Sequence, residues 1–338
     1  MKEKKNLTEF MLSLVQTLED EHRFGSAHVY RSTLHTFTAY WNKRKGRKIL
    51  MAVRNVFTVS VLREFEEYLR GKLLKMNTIS TYMRMLRAVY HRLLKDGEVD
   101  YTAGLFDSVY TGTCADVKRA LSPADMAKIL SFPLPDLGSV VVGTSVSSSL
   151  VQDNLQEARC WFSLLFLLRG IPFADLARLR KCDYKDGVVS YCRQKTGRRL
   201  TVTVPKEAEP LIRTCSDTNP ASPYLLSILD GGKAAGGIGS REEYDRYLCV
   251  LRDFNRRLAH LAYVIGIKCK LSSYTPRHTW ATLAYRKKCP IGIISNALGH
   301  SSIKVTETYL KPFETEELDK ANRMVIACVK DGLRNGIR

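Results

Sequence analysis

Residues 271–313 read LSSYTPRHTWATLAYRKKCPIGIISNALGHSSIKVTETYLKPF, and this stretch decides how the rest of the chain is interpreted. It contains four residues suited to phosphoryl chemistry, namely Tyr274, Arg277, His300 and Tyr309. Arginine binds phosphate through two parallel hydrogen bonds, and tyrosine can attack phosphorus as a nucleophile. The stretch therefore indicates phosphoryl transfer through a tyrosine, provided that its turns bring the four side chains together.

The same stretch carries helix signals that favour such a convergence. Tyr274 and Arg277 are three residues apart, so on a helix they project from one face. An apolar run over 291–298 has helical spacing and stops at Gly299, a residue type that commonly follows helix ends. The serines that come next can cap a further helix, which would carry Tyr309.

The order and spacing of these residues resemble the signature of the tyrosine recombinase (phage integrase) family. That signature reads H-x-x-R, then G-H, then a tyrosine nine residues after the histidine. Here the three parts are Y-T-P-R ending at Arg277, the pair Gly299-His300, and Tyr309. Tyr274 stands where the family usually has histidine. The resemblance implies a site-specific DNA recombinase that forms a covalent 3′-phosphotyrosine intermediate, for integration, excision or inversion of DNA.

Two further segments resemble the family and extend the predicted site. FLLRGIPFADLARLR is similar to the box around the family's first catalytic arginine, which here is Arg169. Two β-prone runs, 188–192 and 200–204, flank a basic turn with a glycine, which predicts a hairpin. The family carries a catalytic lysine on such a hairpin, and it corresponds to Lys195. Asp175 stands where the family often has an acid, and we interpret it as a helix-capping or arginine-orienting group.

The residues thus identified have roles that suit the cleavage of a phosphodiester. Arg169 and Arg277 would hold the non-bridging oxygens, which lysine could not do as well. Lys195 would protonate the leaving 5′-oxygen, and His300 would donate a hydrogen bond to the phosphate. Tyr309 would attack the phosphorus. The predicted catalytic set is Arg169, Lys195, Tyr274, Arg277, His300 and Tyr309.

Two alternatives remain open at this point. A type IB topoisomerase-like enzyme would use the same chemistry to relax DNA as a monomer, although a helical tail beyond Tyr309 favours an assembly. A catalytically weakened accessory DNA-binding protein is the second alternative. Tyr274 leaves it open, because tyrosine can hydrogen-bond a phosphate but is a poor base at neutral pH.

The composition agrees with a nucleic-acid partner. The 338 residues include 53 Lys and Arg against 34 Asp and Glu, a formal net charge of +19. Such an excess indicates a polyanion, most simply double-stranded DNA. Nine cysteines without a C-x-x-C pair favour reduced thiols over a disulfide framework or a zinc site. We expect no cofactor and no metal, since the sequence has no acidic triad, H-E-x-x-H motif or nucleotide-binding loop.

The chain begins with charged residues that lead into an amphipathic pattern and not into an apolar signal core. No stretch has the length and apolarity of a membrane span. We expect a cytoplasmic protein that associates with the bacterial nucleoid when it binds DNA. Recombinases of the family work as tetramers on two DNA sites, so a homo-oligomer is expected, with accessory DNA-binding factors as further partners.

Helical periodicity predicts a mainly α fold with a small antiparallel β-sheet in two domains. A helical bundle is predicted over residues 1–112, a linker over 113–120 and a second domain over 121–338. The family resemblance implies that the first is a SAM-like core-binding domain and the second the tyrosine-recombinase catalytic domain. The predicted elements are four helices that begin near 7, 26, 58 and 77, a helix after Ser122, a flexible loop over 133–152, and helices over 154–169, 241–267 and 315–329.

Hydroxyls and cations on the polar side of the fourth helix and on the hairpin suit DNA phosphates and groove edges. A solvated helix face is the alternative, and the positive charge of the whole chain favours DNA. The predicted DNA contacts are Lys72, Lys75, Thr78, Ser80, Thr81, Arg84, Arg87, Arg193, Arg198 and Arg199.

Overall fold

The computed structural model describes residues 6–46, 50–114, 120–131, 146–229, 237–307, 319–320 and 322–327. The chain forms two compact units. Unit 1 comprises Met1–Asp116 with Gly236–Tyr244, and unit 2 comprises Val117–Ala235 with Asp245–Arg338. Both units are mainly helical, and the three strands within the described ranges form one small sheet in unit 2. The mainly α fold with a small antiparallel sheet is confirmed.

Unit 1 consists of amphipathic helices whose apolar faces pack against one another. Phe65 lies at the centre of an aromatic cluster, with its ring centroid 4.9 Å from that of Phe37 and 5.2 Å from that of Tyr40. Aromatic pairs at such distances contribute about 0.5–1.5 kcal/mol beyond the burial of their area. The helices are α1 (Leu7–Asp20), α2 (Phe24–Lys45), α3 (Val53–Val56), α4 (Val59–Gly71) and α5 (Met76–Lys95).

The helix starts in unit 1 follow the capping signals in part. Thr58 caps α4 as predicted, because its Oγ1 accepts a hydrogen bond from the backbone N–H of Val61 at 3.3 Å. α2 begins at Phe24, two residues before the predicted start near 26. α5 begins at Met76 and therefore includes Asn77, which was predicted to precede it. The short α3 was not predicted.

Unit 2 surrounds the apolar helix that precedes Arg169. Phe254 lies in its core, where the ring centroid is 4.6 Å from that of Phe173 and 5.5 Å from that of Trp161. Burial of aromatic side chains of this size dominates the stability of a core. The helices are α6 (Pro123–Ser131), α7 (Val146–Leu167), α8 (Phe173–Leu176), α9 (Glu209–Cys215), α10 (Arg241–Ile265), α11 (Thr275–Arg286), α12 (Ile291–Ala297) and α13 (Ile303–Glu307).

The sheet of unit 2 has three antiparallel strands in the order β1-β2-β3. They are β1 (Tyr184–Lys185), β2 (Val188–Cys192) and β3 (Arg199–Thr203). The predicted hairpin is therefore present, with Cys192 opposite Arg199 in the register. β1 was not predicted, although Asp186 and Gly187 have positive φ angles of 51° and 73°, the geometry that Asp-Gly turns between strands adopt.

Two predictions about helices need comment. The predicted loop over 133–152 is wrong for its last part, because residues 146–152 form the first turns of α7; this segment contains no glycine or proline to prevent helix formation. The rest of the predicted loop lies outside the described residues. In the predicted last helix, residues 322–327 are helical. No helix within the described ranges combines the length and apolarity that a membrane span needs.

Candidate active site

Arg277 lies in the first turn of α11, and only 2% of its surface is exposed. The start of this helix is fixed locally, since the backbone N–H of Ser272 donates to Oγ1 of Thr275 at 3.0 Å. Pro276 follows in the first turn, where backbone N–H groups have no acceptor within the helix, so the missing N–H of a proline costs no hydrogen bond. This helix start places the guanidinium of Arg277 in the interior of unit 2.

Backbone carbonyls and a histidine hold the guanidinium of Arg277. Its Nη1 donates to the carbonyl of Gly170 at 2.7 Å, and its Nη2 donates to the carbonyl of Leu298 at 2.5 Å. Nη2 also lies 3.0 Å from Nε2 of His300. Nε is buried without a hydrogen-bond partner among the described residues. A guanidinium has five N–H groups, so Nε–H and one N–H of Nη1 remain to bind a phosphate.

His300 follows α12, and its ring orientation follows from its two partners. A guanidinium can only donate, so Nε2 accepts from Arg277 and the ring proton resides on Nδ1. Nδ1 then donates to Oγ1 of Thr306 at 2.8 Å. Thr306 is fully buried, so this hydrogen bond is shielded from water.

The electrostatic environment keeps His300 neutral. Burial is the largest cause that lowers its pKa, to about 4, and the positive charges of Arg277, Arg193 and Lys195 act in the same direction. A neutral ring is also what the hydrogen bond from Arg277 requires.

Arg169 and Gly170 form a left-handed turn after α7, with φ angles of 57° and 69°. Nη1 of Arg169 donates to the carbonyl of Thr201 in β3 at 3.3 Å. A Cβ atom on Gly170 would lie 3.1 Å from Cα of Arg277, which is closer than most real Cβ contacts. Gly170 thus allows the turn to approach α11, and the carbonyl of the same residue binds Arg277. The residue that follows Arg169 therefore binds Arg277 through its carbonyl.

Lys195 lies in the turn between β2 and β3, where its side chain is exposed. The backbone N–H of Arg193 donates to the carbonyl of Arg198 at 2.9 Å, and Gly197 donates back to the carbonyl of Arg193 at 2.8 Å. Gly197 has a φ of 65°, which glycine adopts without strain. These hydrogen bonds close the turn that carries Lys195.

Arg193 was predicted to contact DNA phosphate, but the structure places its side chain in the interior, with 5% exposed. Its Nη1 donates to the carbonyls of Leu298 and Gly299 at 3.2 and 3.0 Å. Its Nε lies 3.6 Å from Oδ2 of Asp175. Because the carboxylate of Asp175 and two carbonyls already serve this guanidinium inside unit 2, Arg193 does not need a DNA phosphate as its anion.

Asp175 is buried between α8 and the hairpin. Oδ1 accepts a hydrogen bond from the backbone N–H of Gln194 at 2.9 Å, while Oδ2 faces Arg193. Burial raises the pKa of the Asp175 carboxyl, and the hydrogen bond from Gln194 and the charges of Arg193 and Arg277 oppose that rise. These contacts agree with the interpretation of Asp175 as an arginine-orienting group.

The other two basic residues of the hairpin are exposed. Arg198 also binds within the protein, since its Nη1 donates to the carbonyl of His300 at 3.0 Å and its Nη2 donates to Oδ1 of Asn296 at 2.9 Å. Arg199 lies in β3 with an exposed side chain. Of the predicted hairpin contacts, Arg199 is thus the one whose placement best suits a phosphate.

The two tyrosines of the predicted set differ in what the structure describes. Tyr274 is the N-cap residue of α11, and 42% of its surface is exposed. Its ring meets the ring of His278 edge-on, with centroids 5.3 Å apart. Arg277, three residues along, is buried, so these two residues do not share an environment in the way that helical spacing predicted. Tyr309 lies outside the described residues.

The predicted contacts on α4 and α5 fall into two groups. Lys72, Lys75, Thr81, Arg84 and Arg87 are exposed, and Thr78 is half-buried. Ser80, in contrast, is 2% exposed. Its placement gives it no surface from which to reach DNA.

Ser80 and its neighbour Asn77 instead hold the segment that leaves the helical bundle. Oγ of Ser80 donates to the carbonyl of Gly112 at 2.6 Å. The side-chain amide of Asn77 makes two hydrogen bonds of 2.8 Å with the backbone of Cys114.

Sequence reasoning did not identify Thr306 or Gly170 as parts of the site. No local signal marks Thr306, because its importance follows from a contact with a histidine six residues earlier. The position of Gly170 directly after the predicted catalytic Arg169 was a usable signal. Within the described ranges, no group of three His, Cys, Asp or Glu side chains is placed to hold a metal ion.

Comparisons with known proteins agree with this geometry. The family profile described as "Phage integrase SAM-like domain" matches residues 6–102, and the profile described as "Phage integrase family" matches residues 157–316. A curated tyrosine recombinase from Thermosipho africanus is 24% identical over 311 residues, which cover 88% of this chain and 96% of the relative.

Two solved structures share the fold. The Tn1549 transposon integrase in complex with transposon right end DNA is similar with a TM-score of 0.60 at 14% identity, over 96% of this chain and all of that one. A lambda integrase dimer bound to a COC′ core site is similar with a TM-score of 0.57 at 14% identity, over 92% of this chain and 81% of that one. Because the two profiles together match most of the chain, the protein belongs to the phage integrase family of tyrosine recombinases and is a site-specific DNA recombinase.

Proposed function

We propose that the chain cleaves and rejoins DNA with Arg169, Lys195, Arg277, His300 and Tyr309 as its catalytic residues. The observation that supports this best is the buried guanidinium of Arg277, which keeps two N–H groups for an anion beside a neutral histidine. A buried cation with an unused donor is costly unless an anionic ligand satisfies it. A DNA phosphate is such a ligand.

The cleavage step exchanges one phosphoester bond for another. The phenolic oxygen of Tyr309 bonds to phosphorus, its proton passes to water, and the bond from phosphorus to the 5′-oxygen breaks. Lys195 donates a proton to that oxygen, while Arg169 and Arg277 stabilise the charge on the non-bridging oxygens. The product is a 3′-phosphotyrosyl ester and a free 5′-hydroxyl. Attack by a second 5′-hydroxyl reverses the step and rejoins the DNA.

The role of His300 needs one adjustment before it can donate to a phosphate. In the free protein its Nε2 accepts from Arg277, and its proton is on Nδ1. If the hydroxyl of Thr306 turns to donate to Nδ1, the proton can reside on Nε2 instead. Arg277 would at the same time transfer its Nη2 hydrogen bond to the phosphate. We propose that Tyr274 adds a hydrogen bond from its hydroxyl, and its exposure at the start of α11 supports this role.

We further propose that residues 1–112 form the DNA core-binding domain and that 113–120 link it to a catalytic domain over 121–338. Exposed cations on α4 and α5, among them Lys72, Arg84 and Arg87, support a phosphate-binding face in the first domain. The assembly on DNA is proposed to be a tetramer. The lambda integrase dimer on its core site supports an oligomer, since that structure shares the fold.

A covalent-trapping experiment tests the mechanism. The full chain is mixed, without metal, with a nicked duplex of the cognate site, which is found by sequencing the DNA that flanks the gene. The nick lets the cleaved end diffuse away, so the covalent intermediate accumulates. We expect a slowly migrating protein–DNA adduct on a denaturing gel that is absent with Tyr309→Phe. Tight binding without an adduct, on a site known to recombine, would contradict the mechanism and support an accessory role.

A further inference from the structure

We propose that Arg193 is a positioning residue that holds Lys195 and His300 in one rigid assembly, and that it does not contact DNA. The inference rests on the proposed function, because it concerns how the lysine and histidine assigned there are kept in place. It replaces the prediction from sequence that Arg193 binds a backbone phosphate.

The side chain of Arg193 connects the hairpin to the turn that carries His300. Its Nη1 donates to the carbonyl of Leu298 at 3.2 Å and to that of Gly299 at 3.0 Å. The next residue along the chain from Gly299 is His300, and Lys195 lies two residues after Arg193. One buried guanidinium therefore joins the segments that present both proposed catalytic groups.

The absence of a side chain at Gly299 leaves the space that the side chain of Arg193 occupies. Its φ of 65° favours glycine, and a Cβ atom there would lie 2.9 Å from Cδ of Arg193 and 2.8 Å from Cδ1 of Leu200. Cβ atoms essentially never approach other atoms so closely. The glycine before His300 thus makes room for Arg193 as well as ending the helix.

The carbonyls that bind these arginines directly follow the C-terminus of α12. α12 ends at Ala297, and the carbonyls of Leu298, Gly299 and His300 all accept from arginines. Arg277 shares the first of these and Arg198 binds the last. Cations at a helix C-terminus are favourable, because the carbonyls there carry partial negative charge.

Arg193 also depends on an acidic partner, and this partner supports the hairpin backbone. Asp175 faces Nε of Arg193 at 3.6 Å and accepts from the backbone N–H of Gln194 at 2.9 Å. Removal of Arg193 would leave Asp175 as a buried charge without its cation, which is strongly unfavourable. The turn would then shift, and Lys195 would move with it. The expected defect is therefore the loss of the proton that Lys195 donates to the leaving oxygen.

A sulfur-substituted substrate separates positioning of Lys195 from general damage. When a 5′-bridging sulfur replaces the leaving oxygen, no proton donor is needed, since a thiol with a pKa near ~8.5 leaves as the thiolate. The full chain is assayed in single-turnover cleavage at saturating protein with both substrates. The variants are Arg193→Gln and Lys195→Ala, with Lys185→Gln, an exposed residue of β1, as the control.

Arg193→Gln is expected to slow cleavage of the oxygen substrate about 10- to 100-fold, part of the ~10²–10⁴-fold that a general acid contributes. Cleavage of the sulfur substrate should fall by no more than about 3-fold. DNA affinity and its salt dependence should stay unchanged, whereas Arg199→Gln should reduce the salt slope by about one. Lys185→Gln should behave like the native chain on both substrates.

Equal slowing of both substrates by Arg193→Gln, or a reduced salt slope, would overturn the proposal. If Lys195→Ala cleaves the sulfur substrate as slowly as the oxygen substrate, Lys195 is not the general acid. That result would contradict the proposed function and not only the positioning role of Arg193. If Lys195→Ala is rescued and Arg193→Gln is not, only the positioning role fails. Should Arg193→Gln not fold, Arg193→Lys keeps a charge opposite Asp175 without the planar fork. Arg193→Lys should then slow cleavage of the oxygen substrate by a smaller factor and leave cleavage of the sulfur substrate near the native rate. Equal slowing of both substrates by this variant would again overturn the proposal.

Discussion

Nη2 of Arg277 lies 3.0 Å from Nε2 of His300, and this contact determines the protonation state of the histidine. Because the guanidinium cannot accept, the imidazole must accept from it and must carry its proton on the other nitrogen. The arginine and histidine of the family signature therefore bind each other in the free protein. In the proposed mechanism, substrate binding exchanges this hydrogen bond for contacts to the phosphate.

The lowered pKa of His300 makes stability depend on pH in one direction. In the unfolded chain the histidine gains its proton near its ordinary pKa, while in the folded chain it does so only near about 4. Above the ordinary value the neutral ring contributes its full stability, and this contribution is lost as the pH falls toward 4. It amounts to about 2 kcal/mol between pH ~7 and pH ~4.5.

His300→Gln removes this titration, so the free energy of unfolding should depend less steeply on pH by that amount. Urea unfolding at both pH values measures it, and His278→Gln serves as the control for loss of a neighbouring histidine. An unchanged pH dependence in His300→Gln would contradict the assignment of a buried, neutral imidazole.

Thr306→Val should destabilise the protein by about 1–3 kcal/mol, because it leaves the Nδ1–H of His300 buried without an acceptor. The same change should slow DNA cleavage, since the hydroxyl can no longer direct the ring proton to Nε2. Thr306→Ser keeps the hydroxyl and should retain most of both properties. Chemical denaturation and the covalent-adduct assay measure the two effects. Native stability and cleavage in Thr306→Val, or losses in Thr306→Ser as large as those in Thr306→Val, would contradict this role of the hydroxyl.

Gly170→Ala should disturb the site through steric contact with α11. The new Cβ would lie 3.1 Å from the backbone of Arg277, and the φ of 69° adds strain. Gly187→Ala is a matched control, since Gly187 has a φ of 73° but no atom within 4 Å of its would-be Cβ. The control should show the strain alone, about 1–2 kcal/mol.

We expect Gly170→Ala to exceed its control in lost stability and to reduce adduct formation at least about 10-fold, because displaced arginine alignment costs at least ~1.4 kcal/mol of transition-state stabilisation. Adduct formation by Gly187→Ala should stay near that of the native chain. Similar behaviour of the two variants would mean that the approach of Gly170 to Arg277 does not matter for catalysis.

Arg84→Gln and Ser80→Ala should separate DNA contact from structural support within α5. Arg84 is exposed, so its loss should weaken DNA binding and reduce the salt slope by about one. Ser80 is buried and binds the carbonyl of Gly112, so its loss should leave the salt slope unchanged and lower stability by about 0.5–1.5 kcal/mol. A lowered salt slope in Ser80→Ala would restore the prediction that it contacts DNA.

The sequence alone determined most of the helices, the hairpin and the family signature, because each depends on residues close together in the chain. The spacing that ends an apolar run at Gly299 and places His300 next is local information. The cap at Thr58 and the turn glycine at Gly197 are local in the same sense. Local patterns of this kind do not depend on how distant parts of the chain pack.

Only the tertiary structure decided which polar residues face the interior. Arg193 and Arg199 are both arginines of one basic hairpin and cannot be told apart by local sequence. Arg193 is buried against the carbonyls of Leu298 and Gly299, about a hundred residues later in the chain, whereas Arg199 is exposed. Ser80 is likewise committed to Gly112. The tautomer of His300 depends on two partners that meet only in the folded protein. Burial and hydrogen-bond partners at long range have no signature in local spacing, because packing of the whole unit determines them.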